Sequence, residues 1–201
     1  NIDESTVASS TCFFSKLHIS FINFKLRHIC VFSIKKLMNS KKNLVLLGMM
    51  ASGKSTIGAL LSKKLGLKFF DIDKIIEEEM HMTIAEIFDK KSEVFFRNLE
   101  ENIVLKTLQN NKSVISLGGG AFFNEKIRKE VIMNHVSFWL DCSDKTLLKR
   151  IRNNTKRPIA NKLTDKELLE LIKKRKKIYI KAKFKIKCDE LSKQQIVANI
   201  L

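Results

Sequence analysis

The residues Gly48-Met49-Met50-Ala51-Ser52-Gly53-Lys54-Ser55-Thr56 carry the chemistry most plainly legible in the chain. They fit the pattern G-x-x-x-x-G-K-[S/T]. In such a loop, successive backbone N–H groups and the positive end of the following helix form a cradle for phosphate. Glycine at positions 48 and 53 lets the backbone curl, Lys54 reaches the terminal phosphates, and the Ser55 hydroxyl suits Mg²⁺. Ala51 stands where many such loops have a further glycine, so this is a variant loop rather than a broken one.

Other candidates follow. Lys68-Phe69-Phe70-Asp71-Ile72-Asp73 predicts a strand ending in two carboxylates. On a strand, Asp71 and Asp73 share one face, at the end of a sheet where ligands bind. Asp73 also suits the N-cap of a helix through Ile75, Ile76 and Glu79. Arg97 lies within a helix, where an arginine alone is usually a solvated charge. Gly118-Gly119-Gly120 has more glycine than a tight turn needs and points to close approach of backbone and ligand. Asn153-Asn154-Thr155-Lys156-Arg157-Pro158 reads as a mobile lid loop. Arg175 shares a helix face with Leu168, Leu171, Ile172 and Tyr179, and a charge on an apolar face is informative. Lys173, Lys174, Lys176 and Lys177 read as solvated.

These groups need a frame. Leu44-Val45-Leu46-Leu47 is a short apolar run before the glycine loop, as expected of a buried parallel strand. Ile57, Leu60, Leu61 and Leu65 then recur at helical spacing up to Gly66, a helix stop. Further strands are predicted over 114–117, 136–141 and 184–188, the last alternating as an edge strand would. Helices are predicted after the capping box Thr83–Glu86, over 92–109 with Phe95, Leu99 and Ile103 as the buried stripe, over 124–134, from Ser143 through Arg150 and Arg152, over 164–181, and over 194–201. Strand and helix alternate, which implies an α/β fold with a parallel sheet flanked by helices.

Composition narrows the choices. A chain of 201 residues with 7 Gly and 1 Pro suits one domain and argues against a turn-rich β-sandwich. The net charge of +17 is spread along the chain without a recognisable nucleic-acid-binding signature, so a solvated basic surface is the expectation. The 4 Cys and 4 His are scattered, which indicates buried free thiols rather than a zinc site or a disulfide framework. No apolar run approaches the roughly 18 residues of a membrane span. Residues 1–37 differ in character: basic, rich in Phe, Ile and Ser, with acidic residues only at Asp3 and Glu4. They suit a transit segment, an amphipathic surface segment, or sequence upstream of a natural start at Met38, the reading favoured here. The catalytic unit is then expected over 38–201.

From about Asn43 to Leu201 the chain resembles the shikimate kinase family. The resemblance rests on the phosphate loop, Asp71-Ile72-Asp73, Phe96-Arg97, Gly118-Gly119-Gly120, Arg157-Pro158 and Arg175 with Tyr179, in that order. It implies a fold like that of the nucleoside monophosphate kinases, with a five-stranded parallel sheet and moving lids, and ATP-dependent phosphorylation of the 3-hydroxyl of shikimate. Ala51, Ser52, Gly53, Lys54, Ser55 and Thr56 would hold the nucleotide phosphates, with Arg150 near the adenine. Ser55, and Asp71 through water, would hold Mg²⁺. Asp73 would bind substrate hydroxyls and take the proton. Arg97, Arg175 and the Gly119 amide would bind the substrate carboxylate, and Arg157 would neutralise the transferred group. Lys54, Asp73 and Arg157 are the expected catalytic set. The expected partners are ATP and shikimate, without nucleic acid or membrane, for a cytoplasmic monomer. Asn98 and Lys177 depart from the family pattern, which often has Arg and Pro there. Another small-molecule kinase of this fold, or a non-catalytic nucleotide- or nucleic-acid-binding protein, are the competing classes.

Overall fold

The computed structural model describes residues 41–153 and 163–201. The segment 1–37, the start at Met38, and Arg157-Pro158 with most of the expected lid lie outside them.

Five strands form one parallel sheet: β1 (Leu44–Leu47), β2 (Lys68–Asp71), β3 (Ser113–Ser116), β4 (Val136–Asp141) and β5 (Phe184–Lys187), in the order β2-β3-β1-β4-β5. Eight helices connect or follow them among the described residues: α1 (Lys54–Leu65), α2 (Ile72–Met80), α3 (Ile84–Lys90), α4 (Glu93–Leu108), α5 (Glu125–Asn134), α6 (Asp144–Arg152), α7 (Asp165–Tyr179) and α8 (Lys193–Ile200), with a 3₁₀ turn at Ala121–Phe123. The apolar runs of β1 and β4 lie centrally and bury both faces, whereas β5 alternates half-buried and exposed residues at the sheet edge, as its sequence pattern requires.

Parallel pairing gathers all carboxyl ends on one edge. β1 runs into the glycine loop after Leu47, Asp71 ends β2 opposite Ser116, and Ser116 leads through Leu117 into the three glycines. The opposite edge is closed by Asn43, which is fully buried. Its Nδ2 donates to the carbonyls of Leu108 (2.9 Å) and Asn110 (2.6 Å), and its Oδ1 accepts from Ser113 N (3.1 Å) and Oγ (2.8 Å). One side chain thereby ties the start of β1 to β3 and to the end of α4.

Local signals set the helix ends. Gly66 adopts φ 65° at the end of α1, and Leu67 N donates to Ser62 O at 2.9 Å, a glycine C-cap. The capping box at Thr83–Glu86 has both of its bonds, and Ser143 caps α6 through Thr146 N.

Four expectations are corrected. β2 stops at Asp71 and α2 begins at Ile72, because β3 ends at Ser116 and offers no ladder beyond it. Asp71 and Asp73 therefore do not alternate along a strand. Asp71, not Asp73, is the N-cap residue, and its side chain makes no cap hydrogen bond. In α4 the buried stripe is Phe96, Glu100, Ile103, Val104, Thr107 and Leu108, so Ile103 is buried as expected, while Phe95 is exposed and Leu99 half-buried. Lys176 is not simply solvated: its Nζ pairs with Asp144 (2.7 Å) and Asp141 (3.5 Å).

Candidate active site

The glycine loop folds as a phosphate cradle requires. Gly48 has φ 149°, Ala51 φ 62° and Gly53 φ 95°, so three positions lie where side chains are disfavoured. That explains the oddity at Ala51: the position asks for glycine and is occupied by the smallest alternative. Gly53 N-caps α1 without a side-chain hydrogen bond, and the first turn of α1 has no acidic residue. Neither the cap residue nor an acid of the first turn competes for the leading amides of α1, and the helix end attracts an anion. Ser52 Oγ is buried without a hydrogen-bond partner, which suits an acceptor such as a phosphate oxygen. Lys54 is buried, and its Nζ donates to the carbonyls of Gly48 (2.9 Å) and Met49 (3.1 Å). The ammonium is held at the loop mouth. Ser55 and Thr56 are exposed at the start of α1. Arg150, from α6, donates through Nη1 to the Ala51 carbonyl at 3.4 Å.

The three glycines each meet a different charged side chain. A Cβ on Gly118 would lie 2.8 Å from Asp73 Oδ1 and against Glu100 Oε1. On Gly119 it would lie 3.0 Å from Arg175 Nη1 and 3.4 Å from Met50 N, and on Gly120 it would lie 2.5 Å from Arg97 Nη1. The turn is glycine-rich because four ionisable heads and the phosphate loop press against it. The sequence pointed to close approach of backbone and ligand; the approach seen here is made by the protein's own side chains.

Those heads form one electrostatic unit. Arg97 Nη1 pairs with Glu100 at 2.7 Å, and its Nη2 with Glu93 at 3.3 Å. The Arg97 guanidinium also packs over Phe96, 5.1 Å from the ring centroid, a cation–π contact. Glu100 is 2% exposed. Burial pushes its carboxyl above the usual range, and the neighbouring Arg97 opposes that. Arg175 donates through Nη1 to Met49 Sδ at 3.4 Å, so a residue of the phosphate loop touches this second guanidinium. Burial lowers the Arg175 pKa, and Tyr179 and Glu100 oppose the shift, while the group stays charged because arginine titrates far above neutrality. Tyr179 is buried one helical turn on; its hydroxyl donates to the Gly119 carbonyl, and burial raises its pKa to about 12.

Sequence reasoning brought together Lys54, Asp73, Arg97, Gly119 and Arg175, and they do converge. It missed Glu100. The signal was available: Glu100 lies three residues after Arg97, between apolar positions. Reading the α4 stripe one residue early turned it toward water. Arg157 lies outside the described residues.

Asp71 is buried at the end of β2, on the same sheet edge as Ser55. Among the described residues no group of three or more His, Cys, Asp or Glu gathers as a metal cage. A hydroxyl and one carboxylate fit Mg²⁺, which takes hard oxygen donors, keeps waters and shares phosphate oxygens. Nor, among these residues, is any helix long and apolar enough to cross a membrane.

A family profile for shikimate kinase matches residues 50–201. A shikimate kinase from Persephonella marina is 40% identical over 160 residues, covering 80% of this chain and 97% of that relative. The crystal structure of a shikimate kinase from Aquifex aeolicus superposes with a TM-score of 0.70 at 34% identity, over 79% of this chain and 93% of that one. One from Acinetobacter baumannii, solved in complex with shikimate, gives 0.76 at 27% identity, over 82% and 93%.

Proposed function

The chain belongs to the shikimate kinase family, and on that premise we propose which of its residues carry the reaction. It is a kinase that uses ATP to phosphorylate the 3-hydroxyl of shikimate, yielding shikimate 3-phosphate and ADP, a step of aromatic amino acid biosynthesis. The observation that supports the residue assignment is the glycine triplet: Asp73, Arg175 and Arg97 lie against its three successive glycines, and the middle one, Gly119, also abuts Met50 N of the phosphate loop.

The loop Ala51–Thr56 binds the ATP phosphates, with Lys54 directed at the terminal ones and Arg150 bracing the Ala51 peptide on the nucleotide side. Arg97 and Arg175 bind the substrate carboxylate. A planar guanidinium matches a carboxylate with two parallel hydrogen bonds, which lysine cannot supply. Arg175 is half-buried, and an acid in the pocket offsets the cost of that desolvation. Gly119 contributes its backbone amide. Asp73 orients the substrate hydroxyl and receives its proton as the oxygen attacks. Mg²⁺, held by Ser55 and through water by Asp71, would supply charge neutralisation at the phosphates. Arg157 neutralises charge on the transferred group. Such a transfer depends on positioning and charge more than on covalent chemistry.

The unit is proposed to begin near Met38 and to act as a cytoplasmic monomer. Its test is an ADP-release assay on the full chain with shikimate, gluconate and nucleoside monophosphates as acceptors. Turnover with shikimate alone is expected; phosphorylation of a nucleoside monophosphate and not of shikimate would overturn the assignment.

A further inference from the structure

Tyr179 is the chain's single tyrosine; its spacing sets it on an apolar helix face beside Arg175. Its surroundings say more. In the turn after β3, Gly118 O accepts from Ala121 N (3.2 Å), Gly120 O from Phe123 N (3.0 Å) and Ala121 O from Asn124 N (3.1 Å). The Gly119 carbonyl instead accepts from the Tyr179 hydroxyl. The series of turn hydrogen bonds is completed at that one position by a side chain from another element.

That carbonyl belongs to the peptide joining Gly119 to Gly120. The flanking Cα atoms abut the two guanidiniums: the Cβ position of Gly119 is 3.0 Å from Arg175 Nη1, and that of Gly120 is 2.5 Å from Arg97 Nη1. In a trans peptide the C=O and N–H point in opposite directions, so holding the carbonyl also sets the direction of the Gly120 amide. Arg175 and Tyr179 lie four residues apart on α7, on one helix face. The Tyr179 ring is 1% exposed and leans on Trp139 of β4, with centroids 6.1 Å apart. The hydroxyl therefore has little freedom of its own.

We propose that Tyr179 is a positioning residue for the acid pocket, fixing the Gly119–Gly120 peptide and with it the separation of the Arg97 and Arg175 guanidiniums. The inference rests on the assignment of those arginines to the substrate carboxylate. The carboxylate is remote from the reacting hydroxyl, so loosening the pair weakens ground-state and transition-state binding alike. The signature is a raised KM for shikimate at nearly constant kcat.

The test is steady-state kinetics on the full chain and its Tyr179→Phe variant, which keeps the ring. The expected result is a KM for shikimate about 10-fold higher, with kcat and the KM for ATP within about twofold. An unchanged KM for shikimate overturns the proposal. So does a parallel loss in both KM values and kcat with a falling melting temperature, which marks a merely structural role. Should the variant fail to fold, growth on 3-fluorotyrosine labels this one site in the otherwise native protein. Its ¹⁹F resonance is expected to shift on titration with shikimate; a resonance unmoved at saturating shikimate, in labelled protein that still turns over shikimate, overturns the proposal. Absence of shikimate-dependent turnover in the unmodified chain would remove the functional assignment itself, a failure distinct from these.

Discussion

The guanidinium of Arg97 occupies the space that a side chain on Gly120 would need: a Cβ there would lie 2.5 Å from Nη1 and 2.9 Å from Cζ. The backbone of the turn and the head of the arginine are mutually exclusive beyond hydrogen. Gly120→Ala should push the head aside rather than break the turn, since the head is the flexible partner. We expect the KM for shikimate to rise about 10-fold, the loss of one good charge-assisted contact, with a small change in melting temperature. Kinetics and a thermal melt on the same sample check this; an unchanged KM would show that Arg97 does not need its present place.

Ala51 adopts φ 62° in the phosphate loop. The left-handed region costs a residue with a Cβ about 1–2 kcal/mol, partly offset by the greater entropy that glycine loses on folding. Ala51→Gly should therefore stabilise the chain by up to about 1 kcal/mol, or roughly 2–4 °C. Ala51→Val should destabilise it. Calorimetry on the pair decides, and a lower melting temperature for the glycine variant would contradict the strain argument.

Asp73 faces Gly118 from the first turn of α2 and is not the residue that caps that helix. Asp73→Asn keeps its size and removes its basicity. Turnover should fall by about 10²–10⁴-fold, the range for loss of a general base, while nucleotide affinity stays within about twofold. Equal losses in both would place Asp73 in the phosphate cradle instead.

His135 lies near the opposite edge of the sheet, where its Nδ1 accepts from Asn43 N at 3.3 Å. Burial lowers its pKa from the ordinary 6.5, against a weaker pull upward from Glu130. The unfolded chain therefore takes up this proton at a higher pH than the folded one. The neutral ring's contribution is complete above about pH 6.5 and is lost as pH falls toward the lowered folded value. His135→Gln should show a smaller drop in melting temperature between about pH 7.5 and 5.5 than the parent chain. An identical drop in both would exclude His135 as a source of acid sensitivity.

What the sequence made legible divides along physical lines. Strand runs, caps and the glycine loop are local signals, and β1, the Thr83–Glu86 box and Gly66 all stand where they were expected. The β2–α2 junction was not legible, because its position depends on where β3 stops offering a ladder, a tertiary fact. Arg175 was found by the rule that a charge on an apolar face matters. Glu100 obeys the same rule and was lost to a stripe misread by one residue, about 100° of helix. The purpose of three glycines was visible only as crowding. Which side chain crowds which glycine required coordinates, since Asp73, Glu100, Arg97 and Arg175 come from three separate helices.

The central claim is that the two guanidiniums and the phosphate loop form one site with divided duties. It is tested most directly by the KM for shikimate and the KM for ATP in Arg97→Lys and Arg175→Lys. Lysine retains the charge and loses the planar fork. The account predicts a KM for shikimate raised about 10-fold or more in each variant, with the KM for ATP within about twofold. A KM for shikimate unchanged in both variants would contradict it.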